Sequence, residues 1–291
     1  MNKLDKDTKI LIVGLGLIGG SYAKGFRAAG IGRLSAIDSD EKTVRTAIET
    51  GLVEHASTKV EKETVASADL VVFALYPEVF VDWIRNYGSY LSPGTVLTDV
   101  TGVKTCIVYK IQEMLPPGVE FIAAHPMAGR EVYGLENSDE TIFRGANYIV
   151  VPTEKNSKEA IDICTSIGRI LGFARISQLS PEEHDEMVGF LSQLTHCIAV
   201  SLMTCKDNTH LVDYTGDSFR DLTRIARIND AMWSELFLLN RDELLQQMDL
   251  FIHEFSDLRY MLARKDREGL REKMRLSTQR RAYFNKPQQE G

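Results

Sequence analysis

The chain has 291 residues, a length that suggests two domains of ordinary size. With 44% hydrophobic and 26% charged residues, it can bury a sizeable core, and the balance excludes disordered, collagen-like and coiled-coil proteins. The formal net charge of −7 argues against non-specific nucleic-acid binding, which needs a basic surface, and at first sight it also disfavours an anionic substrate.

The N-terminal segment and the cysteines indicate a compartment. Residues 1–9 are polar and charged and lack the apolar centre of a signal peptide. The sequence has no run of about 18 consecutive apolar residues, so we predict no membrane-spanning helix. Its 4 cysteines form no C-x-x-C pair and have no metal-ligand spacing with histidine. We therefore expect a cytoplasmic protein with reduced thiols that binds neither a metal ion nor a membrane.

The first part of the chain alternates short apolar runs with helical segments, which is typical of a parallel sheet covered by helices. The apolar runs show little alternation, as expected for strands that are buried on both faces. The predicted strands are Lys9–Val13, Leu34–Ile37, Leu70–Ala74, Thr95–Thr98, Phe121–Ala124, Tyr148–Val151 and Ala174–Ile176. The predicted helices between them include Glu41–Thr50, Glu78–Tyr87, Lys104–Leu115 and Ser157–Leu171.

A G-x-G-x-x-G turn directly follows the first predicted strand and opens a helix, the context that predicts a dinucleotide site. Gly14 permits the tight turn, Gly16 lets the backbone approach a pyrophosphate, and Gly19 lets the helix pack closely on the strand. The first helical turn, at Leu17 and Ile18, presents backbone N–H groups to the phosphates. These five residues are the predicted phosphate-binding part of the cofactor site.

Asp38 stands 19 residues after Gly19, at the end of the second predicted strand. An acid at this place accepts hydrogen bonds from the adenosine ribose hydroxyls. The neighbouring Ser39, Asp40 and Glu41 include no base, so a 2′-phosphate would be repelled. The sequence therefore predicts NAD rather than NADP. The alternative is a glycine-rich loop with a capping aspartate that binds no cofactor.

His125 follows the predicted strand Phe121–Ala124 and begins the stretch His125-Pro126-Met127-Ala128-Gly129. Residues just past the carboxyl ends of strands in an open α/β sheet face the ligand crevice. A histidine there can take a proton near neutral pH, as oxidation of an alcohol or a hydroxylated ring requires. Position alone leaves a purely structural histidine as the alternative.

The pattern changes near Ser180-Pro181, after which it is helical nearly to the end. Ser180, Pro181 and Glu183 match a capping box with proline at the first helical position. We therefore predict an α/β Rossmann-type dinucleotide-binding domain over residues 1–178 and an all-α helical domain over residues 179–291.

A cluster of arginines lies in the helical part, with Arg220, Arg224 and Arg227 within eight residues. Asp221 and Arg224 are i,i+3 neighbours, and an arginine positioned by an acid presents a fixed fork of donors to a carboxylate. The sequence leaves two interpretations open at this point, an anion site or structural ion pairs on a solvated helix face.

Together these segments resemble the prephenate and arogenate dehydrogenase family of tyrosine biosynthesis. The matching stretches are Gly14–Gly19 with Ser21, Asp99–Lys104, His125–Gly129 with Glu131 and Gly134, Phe143–Gly145, His184-Asp185, Ser192–His196, Phe219–Ala226, and Met232-Trp233 with Asn240. The pair His125–Gly129 and Arg220–Ala226 is far more specific than the glycine turn. The resemblance implies that the helical domain is a dimerisation domain.

The resemblance also implies an activity and roles for individual residues. The activity is the oxidative decarboxylation of prephenate to 4-hydroxyphenylpyruvate with reduction of NAD. His125 would hydrogen-bond the substrate hydroxyl and assist its deprotonation, Arg224 would bind a substrate carboxylate, and His196 would line the substrate pocket. Glu131 and Asp221 match acids that form an ionic network with that arginine.

One turn departs from the family pattern. The family usually has serine in an Asp-x-Gly-Ser-x-Lys turn, where the hydroxyl lies close to the nicotinamide and the substrate. Here glycine, Gly102, stands in the serine place of the turn Asp99–Lys104. Thr101 is the candidate to supply the hydroxyl from one residue away.

The substrate and the oligomeric state are less determined. Arogenate dehydrogenase is the first alternative, since arogenate has an amino group where prephenate has a keto group. A 3-hydroxy-acid dehydrogenase and a non-catalytic NAD-binding regulator are the others. The long apolar helices predicted over Met187–Met203 and Leu236–Phe255 need covering partners, which together with the resemblance predicts a homodimer through the helical domain.

Overall fold

The computed structural model describes residues 4–130, 132–207 and 209–284. Six parallel strands form the first sheet: β1 Lys9–Val13, β2 Arg33–Ile37, β3 His55–Ser57, β4 Leu70–Phe73, β5 Val96–Asp99 and β6 Glu120–Phe121. Their order is β3-β2-β1-β4-β5-β6, so the winding direction reverses between β1 and β4. This is the doubly wound order of a Rossmann fold, and it confirms the predicted fold class.

Helices cover both faces of this sheet. They are α1 Leu17–Ala28, α2 Glu41–Glu49, α3 Lys62–Ala66, α4 Pro77–Tyr87, α5 Thr105–Met114 and α6 Lys158–Ile170. Alternate residues of each strand enter different cores, with Ile10 and Ile12 of β1 on one face and Leu11 and Val13 on the other. Burial on both faces explains why the strands are continuous apolar runs.

Three later strands form a second sheet in the order β7-β8-β9. They are β7 Ala123–Met127, β8 Asn147–Val151 and β9 Arg175–Gln178. β7 and β8 are antiparallel, whereas β8 and β9 are parallel. The sequence placed the predicted strands Tyr148–Val151 and Ala174–Ile176 in the parallel sheet, which was wrong. It predicted one strand over Phe121–Ala124, which the structure divides between β6 of the first sheet and β7 of the second. The buried side chains of Asp99 and Lys104 bind the backbone of Ala124 in β7 in place of a neighbouring strand, as the site below shows.

The rest of the described chain is helical. The helices are α7 Pro181–Val188, α8 Thr195–Thr204, α9 Asp217–Thr223, α10 Asp230–Leu239, α11 Arg241–Ala263 and α12 Arg267–Arg281. A π-helical segment, Gly189–Leu194, joins α7 to α8. The predicted capping box is confirmed, because the Ser180 hydroxyl accepts from the Glu183 N–H and the Glu183 carboxylate accepts from the Ser180 N–H.

The predicted helix Leu236–Phe255 is interrupted at Asn240, which has non-helical dihedral angles between α10 and α11. The side-chain amide of Asn240 donates to Gln193 Oε1 at 2.8 Å and to the Asp185 carbonyl at 3.0 Å. These buried hydrogen bonds fix Asn240 against α7 and the π-helical segment. Tertiary contacts therefore end the helix where hydrophobic periodicity would continue it.

The chain divides into two compact units, Met1–Arg241 and Asp242–Gly291. Within the second unit, Lys273 of α12 forms ion pairs with Glu254 at 2.8 Å and Asp257 at 3.7 Å, so α12 lies beside α11. The change from mixed to helical structure falls between Gln178, where β9 ends, and Pro181, where α7 begins. The domain boundary at 178 stays a prediction.

The helical run Pro181–Thr204 has the length and apolar composition that spanning a membrane requires, and 28% of its most apolar window is buried. Three of its buried residues, His184, Asp185 and Gln193, are polar. His184 and Asp185 take part in the hydrogen bonds of the site described next, and Gln193 binds Asn240 and the Leu236 carbonyl. The run also exposes both polar residues, such as Glu182 and Glu186, and the large apolar side chains of Phe190, Leu191 and Met203.

Candidate active site

The glycine-rich turn lies at the point where the sheet order reverses. Gly14 has a φ of 93°, and a Cβ on it would lie 2.5 Å from the Ala74 carbonyl oxygen that follows β4. A Cβ on Gly19 would lie 1.9 Å from the Gly14 carbonyl oxygen. Both positions therefore require glycine. At Gly16, no described heavy atom lies within 4 Å of the Cβ position, so space for a ligand is open above the turn.

The N-terminus of α1 faces this space. Gly16 is its N-cap, and among the described residues no side chain caps it; its first turn, which includes Leu17 and Ile18, has no acid. Asp38 follows β2, and its carboxylate accepts the Leu15 N–H at 2.6 Å and the Asp40 N–H at 2.9 Å. The arrangement fits a dinucleotide, with phosphates at the helix N-terminus and a ribose at the carboxylate.

A buried ion pair lies beside this crevice. Asp99 at the end of β5 and Lys104 before α5 are both fully buried, and Lys104 Nζ is 2.7 Å from Asp99 Oδ2. The same ammonium donates to the Ala124 carbonyl at 2.6 Å, and Asp99 Oδ1 accepts the Ala124 N–H at 3.0 Å. The ion pair therefore binds both backbone groups of the residue before His125.

This clamp also explains why β7 leaves the parallel sheet. The Ile122 N–H still donates to the Leu97 carbonyl of β5 at 3.0 Å. The next backbone groups on that side, those of Ala124, bind Asp99 and Lys104 side chains instead of a neighbouring strand. From this point the chain pairs with β8, which places His125 beside the carboxyl edge of the first sheet.

His125 belongs to a line of three hydrogen-bonded side chains. Its Nδ1 lies 2.9 Å from His184 Nε2, and His184 Nδ1 lies 2.8 Å from Asp185 Oδ1. The Asp185 carboxylate accepts the N–H groups of Lys104 and Thr105, each at 2.8 Å, at the N-terminus of α5. His184 and Asp185 are buried, and His125 is largely buried.

The protonation states follow from burial and these partners. Burial lowers the pKa of His125 well below its ordinary value, and the nearby His184 and Lys104 lower it further. Burial also lowers the pKa of His184, although the hydrogen bond to Asp185 acts in the opposite direction. Burial raises the pKa of Asp185, but the hydrogen bonds from His184 and Thr105 outweigh it, so the net shift is downward. At neutral pH both rings are neutral and Asp185 is ionised.

Helix α10 covers the other side of the site. A Cβ on Gly102 would lie 3.5 Å from Leu236 Cδ1 and 4.0 Å from His125 Cε1, so these three residues surround one small space. Glu235 accepts the Glu78 N–H at 3.0 Å, which holds α10 to the start of α4. The helix thus encloses the space next to His125.

His196 and Arg224 lie farther along the helical part. The His196 ring stacks on Trp233 of α10 with 3.7 Å between centroids, and its Nδ1 lies 2.9 Å from the Ser192 carbonyl. The exposed Arg224 begins a 3-10 turn, Arg224–Ala226, which packs against α8, the helix that carries His196. The turn that begins at Arg224 therefore packs against the helix that carries His196. His196 in turn stacks on α10, the helix that encloses the space beside His125.

The remaining predicted residues have varied placements. Asp221 is exposed on α9, one turn before Arg224, and Arg220 pairs with Asp217 at 3.2 Å. Glu131 lies outside the described residues. Among the described residues, no group of three or more histidines, cysteines or acids could hold a metal ion.

Thr101 is almost fully buried below the crevice. Its hydroxyl lies within hydrogen-bond distance of the Asp99 carboxylate, of the Val103 carbonyl at 3.0 Å and of Lys104 Nζ at 3.2 Å. The role predicted for Thr101, a hydroxyl at the substrate, would require this group to leave its buried partners. The placement instead makes Thr101 part of the network that clamps Ala124.

Sequence reasoning assigned no role to His184, Asp185, Asp99 or Lys104. The first two were noted only as a matching pair. The matching pair is the available signal, since α7 also contains Glu182, Glu183 and Glu186, and a further histidine and aspartate do not stand out in so polar a helix. Their partners, however, lie on distant segments that no local pattern connects.

The order of the strands, the open glycine turn and a neutral histidine at the sheet edge define the class: an oxidoreductase with a Rossmann-type nucleotide-binding domain. Two family models match the chain, the nucleotide-binding domain of prephenate dehydrogenase over residues 22–173 and its dimerization domain over residues 180–276. The chain belongs to the prephenate dehydrogenase family, which confirms the resemblance carried by the motifs.

Individual relatives agree with this assignment. A prephenate dehydrogenase of Bacillus subtilis is 30% identical over 279 residues, covering 93% of this chain and 74% of that protein. A cyclohexadienyl dehydrogenase of Zymomonas mobilis is 28% identical over 279 residues, with 94% of each chain covered. The crystal structure of A. aeolicus prephenate dehydrogenase with hydroxyphenyl propionate and NAD+ matches with a TM-score of 0.87 at 28% identity, covering 96% of this chain and 99% of that chain.

Proposed function

We propose that the protein catalyses the NAD-dependent oxidative decarboxylation of prephenate to 4-hydroxyphenylpyruvate. The observation that carries the proposal is His125, a neutral, hydrogen-bonded histidine beside an open crevice that fits a dinucleotide. The prephenate dehydrogenase of Bacillus subtilis supports the substrate, and the NAD+ complex of the A. aeolicus enzyme supports the cofactor. Asp38, with no base among the three residues after it, supports NAD over NADP.

The residues of the chain have distinct tasks in this reaction. Gly16 and the first turn of α1 would hold the pyrophosphate of NAD, and Asp38 would accept hydrogen bonds from its adenosine ribose. NAD held there would supply the acceptor for the hydride that leaves the ring carbon carrying the substrate hydroxyl. His125 accepts the hydroxyl proton as that carbon is oxidised, the bond to the ring carboxylate breaks to release carbon dioxide, and the proton returns to the oxygen of the aromatic product.

The test is to incubate the protein with NAD and prephenate and to follow the absorbance of the reduced nicotinamide. We expect equimolar reduced cofactor, carbon dioxide and 4-hydroxyphenylpyruvate, the last identified by mass. Absence of cofactor reduction with prephenate and with arogenate would refute the proposal.

Arg224 is the proposed anchor for a substrate carboxylate. Arg224→Ala should raise the KM for prephenate by roughly 10- to 150-fold, because a hydrogen bond to a charged group contributes about 1.5–3 kcal/mol. The KM for NAD should stay near that of the parent. Initial-rate kinetics with each reactant varied in turn measure both constants.

Arg220→Ala is the matched control, since Arg220 lies one helical turn earlier and pairs with the exposed Asp217. Its KM for prephenate should match the parent. If Arg224→Ala also retained the parent KM, Arg224 would not be the carboxylate anchor, and the arginine cluster would be a set of structural ion pairs.

Gly102 offers a second test of the space beside His125. A Cβ there would meet Leu236 at ordinary contact distance, so serine fits without displacing the helix. We expect Gly102→Ser to raise kcat/KM for prephenate about two- to tenfold above Gly102→Ala, since one hydrogen bond contributes about 0.5–1.5 kcal/mol. The Ala variant controls for the added Cβ. Equal kcat/KM values for the two variants would place the substrate hydroxyl elsewhere.

Arogenate is the second candidate substrate. The Zymomonas mobilis relative named as a cyclohexadienyl dehydrogenase supports it, at 28% identity. Arogenate keeps the ring hydroxyl and the carboxylates of prephenate, so His125 and Arg224 would have the same tasks. The two substrates differ only at the side-chain keto or amino group.

A cytoplasmic homodimer completes the proposal. The match to a dimerization domain over residues 180–276 supports a dimer through the helical part. Helix α11 also exposes large apolar side chains, among them Leu250, Ile252 and Phe255, which a second copy would cover. All four cysteines are free thiols, which suits a reducing compartment.

A further inference from the structure

The hydrogen bonds that join His125, His184 and Asp185 all run in one direction, because each donor and each acceptor in the line can be identified. The line begins at the N-terminus of α5, where Asp185 accepts two backbone N–H groups at 2.8 Å each. The positive end of a helix favours the ionised carboxylate. An ionised carboxylate only accepts hydrogen bonds, so His184 Nδ1, at 2.8 Å from Asp185 Oδ1, carries a hydrogen.

The remaining protons follow from the chemistry of a neutral imidazole, which has one N–H and one lone pair. Because His184 donates through Nδ1, its Nε2 is an acceptor. His125 Nδ1 lies 2.9 Å from that Nε2 and therefore donates to it. The lone pair of His125 is thereby on Nε2, the ring nitrogen that does not bind His184.

We propose that His184 and Asp185 are positioning residues that hold His125 in the tautomer whose Nε2 accepts the substrate proton. The inference rests on the proposed function, in which His125 takes that proton. The reverse tautomer would present an N–H to the hydroxyl and could not serve as the base. When Nε2 gains the proton, His125 Nδ1 keeps its hydrogen bond to His184, and the ionised Asp185 stabilises the new charge along the same line.

A packing role alone does not account for this pair. His184 and Asp185 are the buried polar residues of α7, and uncharged residues of similar volume would cost less to bury there. The other charged groups near the two histidines, Lys104 and Asp99, already bind each other and Ala124. The carboxylate of Asp185 is thus the group that sets the proton positions of the line.

The first test reads the tautomers directly. Nitrogen-15 NMR of the labelled full-length protein distinguishes Nδ1–H from Nε2–H in each histidine, and His125→Asn and His184→Asn spectra assign the signals. At neutral pH we expect both rings to be neutral Nδ1–H tautomers. An Nε2–H tautomer for His125 would overturn the proposal.

The second test asks whether His125 needs a hydrogen-bond acceptor at position 184 or only a side chain that fills the same space. His184→Asn can still reach Asp185 but leaves His125 Nδ1 without its acceptor, whereas His184→Gln places a carbonyl oxygen near the Nε2 position. We expect the Asn variant to lower kcat about 10- to 100-fold at parent KM values, and the Gln variant to regain most of it. A parent kcat in the Asn variant would overturn the proposal. A parent protein inactive on both substrates would refute the proposed function alone, and the tautomer spectrum would still decide the present inference.

Discussion

His125→Asn is expected to lower kcat by roughly 10²–10⁴-fold, the range for loss of a general acid–base group. Asparagine can still donate a hydrogen bond to His184 but has no basic nitrogen for the substrate proton. The KM for NAD and the free energy of unfolding should therefore stay near the parent values. Steady-state kinetics and urea denaturation measure these quantities.

The pH profile of the parent provides a second measurement at the same residue. His125 acts as a base only when neutral, and its lowered pKa keeps it neutral until the pH falls below the ordinary histidine value. The acidic limb of kcat/KM should thus lie below about pH 6.5. The exposed His253 provides the control variant His253→Asn, which should retain the parent profile. An unchanged kcat in His125→Asn would remove His125 from the proton transfer.

Lys104→Met is expected to lower the free energy of unfolding by about 3–5 kcal/mol, the usual cost of breaking a buried ion pair from one side. Methionine has a similar shape but leaves the buried Asp99 carboxylate without its counter-ion and the Ala124 carbonyl without its donor. Urea denaturation followed by circular dichroism measures the change.

Arg33→Ala is the matched control for that measurement, because Arg33 pairs with Glu54 at 3.2 Å on the surface. Exposed pairs contribute up to about 1 kcal/mol, so the control should unfold close to the parent. A Lys104→Met variant as stable as the control would show that the Asp99–Lys104 pair does not hold the β7 strand in place.

Local patterns were sufficient where local physics decides the structure. The glycine spacing after β1 predicted the turn because Gly14 and Gly19 have no room for a side chain. The Ser180 capping box was predicted because its hydrogen bonds join residues three apart. Strands buried on both faces were predicted from apolar runs alone.

Contacts between distant segments were beyond those patterns. A strand-like run over residues 121–124 does not reveal which neighbour it pairs with, and buried Asp99 and Lys104 decide that. His184 received no role because its partner His125 is 59 positions away. Asn240 ends a helix through hydrogen bonds to Asp185 and Gln193, and hydrophobic periodicity does not predict such contacts.

The net charge of −7 gave a misleading indication about small anions. Net charge describes the field of the whole surface, which governs binding to a polyanion such as nucleic acid. A dinucleotide can instead bind backbone N–H groups at the start of α1, and one arginine can bind a carboxylate. Local donors therefore decide whether a small anion binds.

The most direct test of the proposed activity is a comparison of initial rates with prephenate and arogenate, each with NAD and with NADP. We predict the highest kcat/KM for prephenate with NAD, accompanied by release of carbon dioxide. Turnover of arogenate without turnover of prephenate would contradict the substrate assignment. Cofactor binding without reduction in any of the four combinations would contradict the proposed activity as a whole.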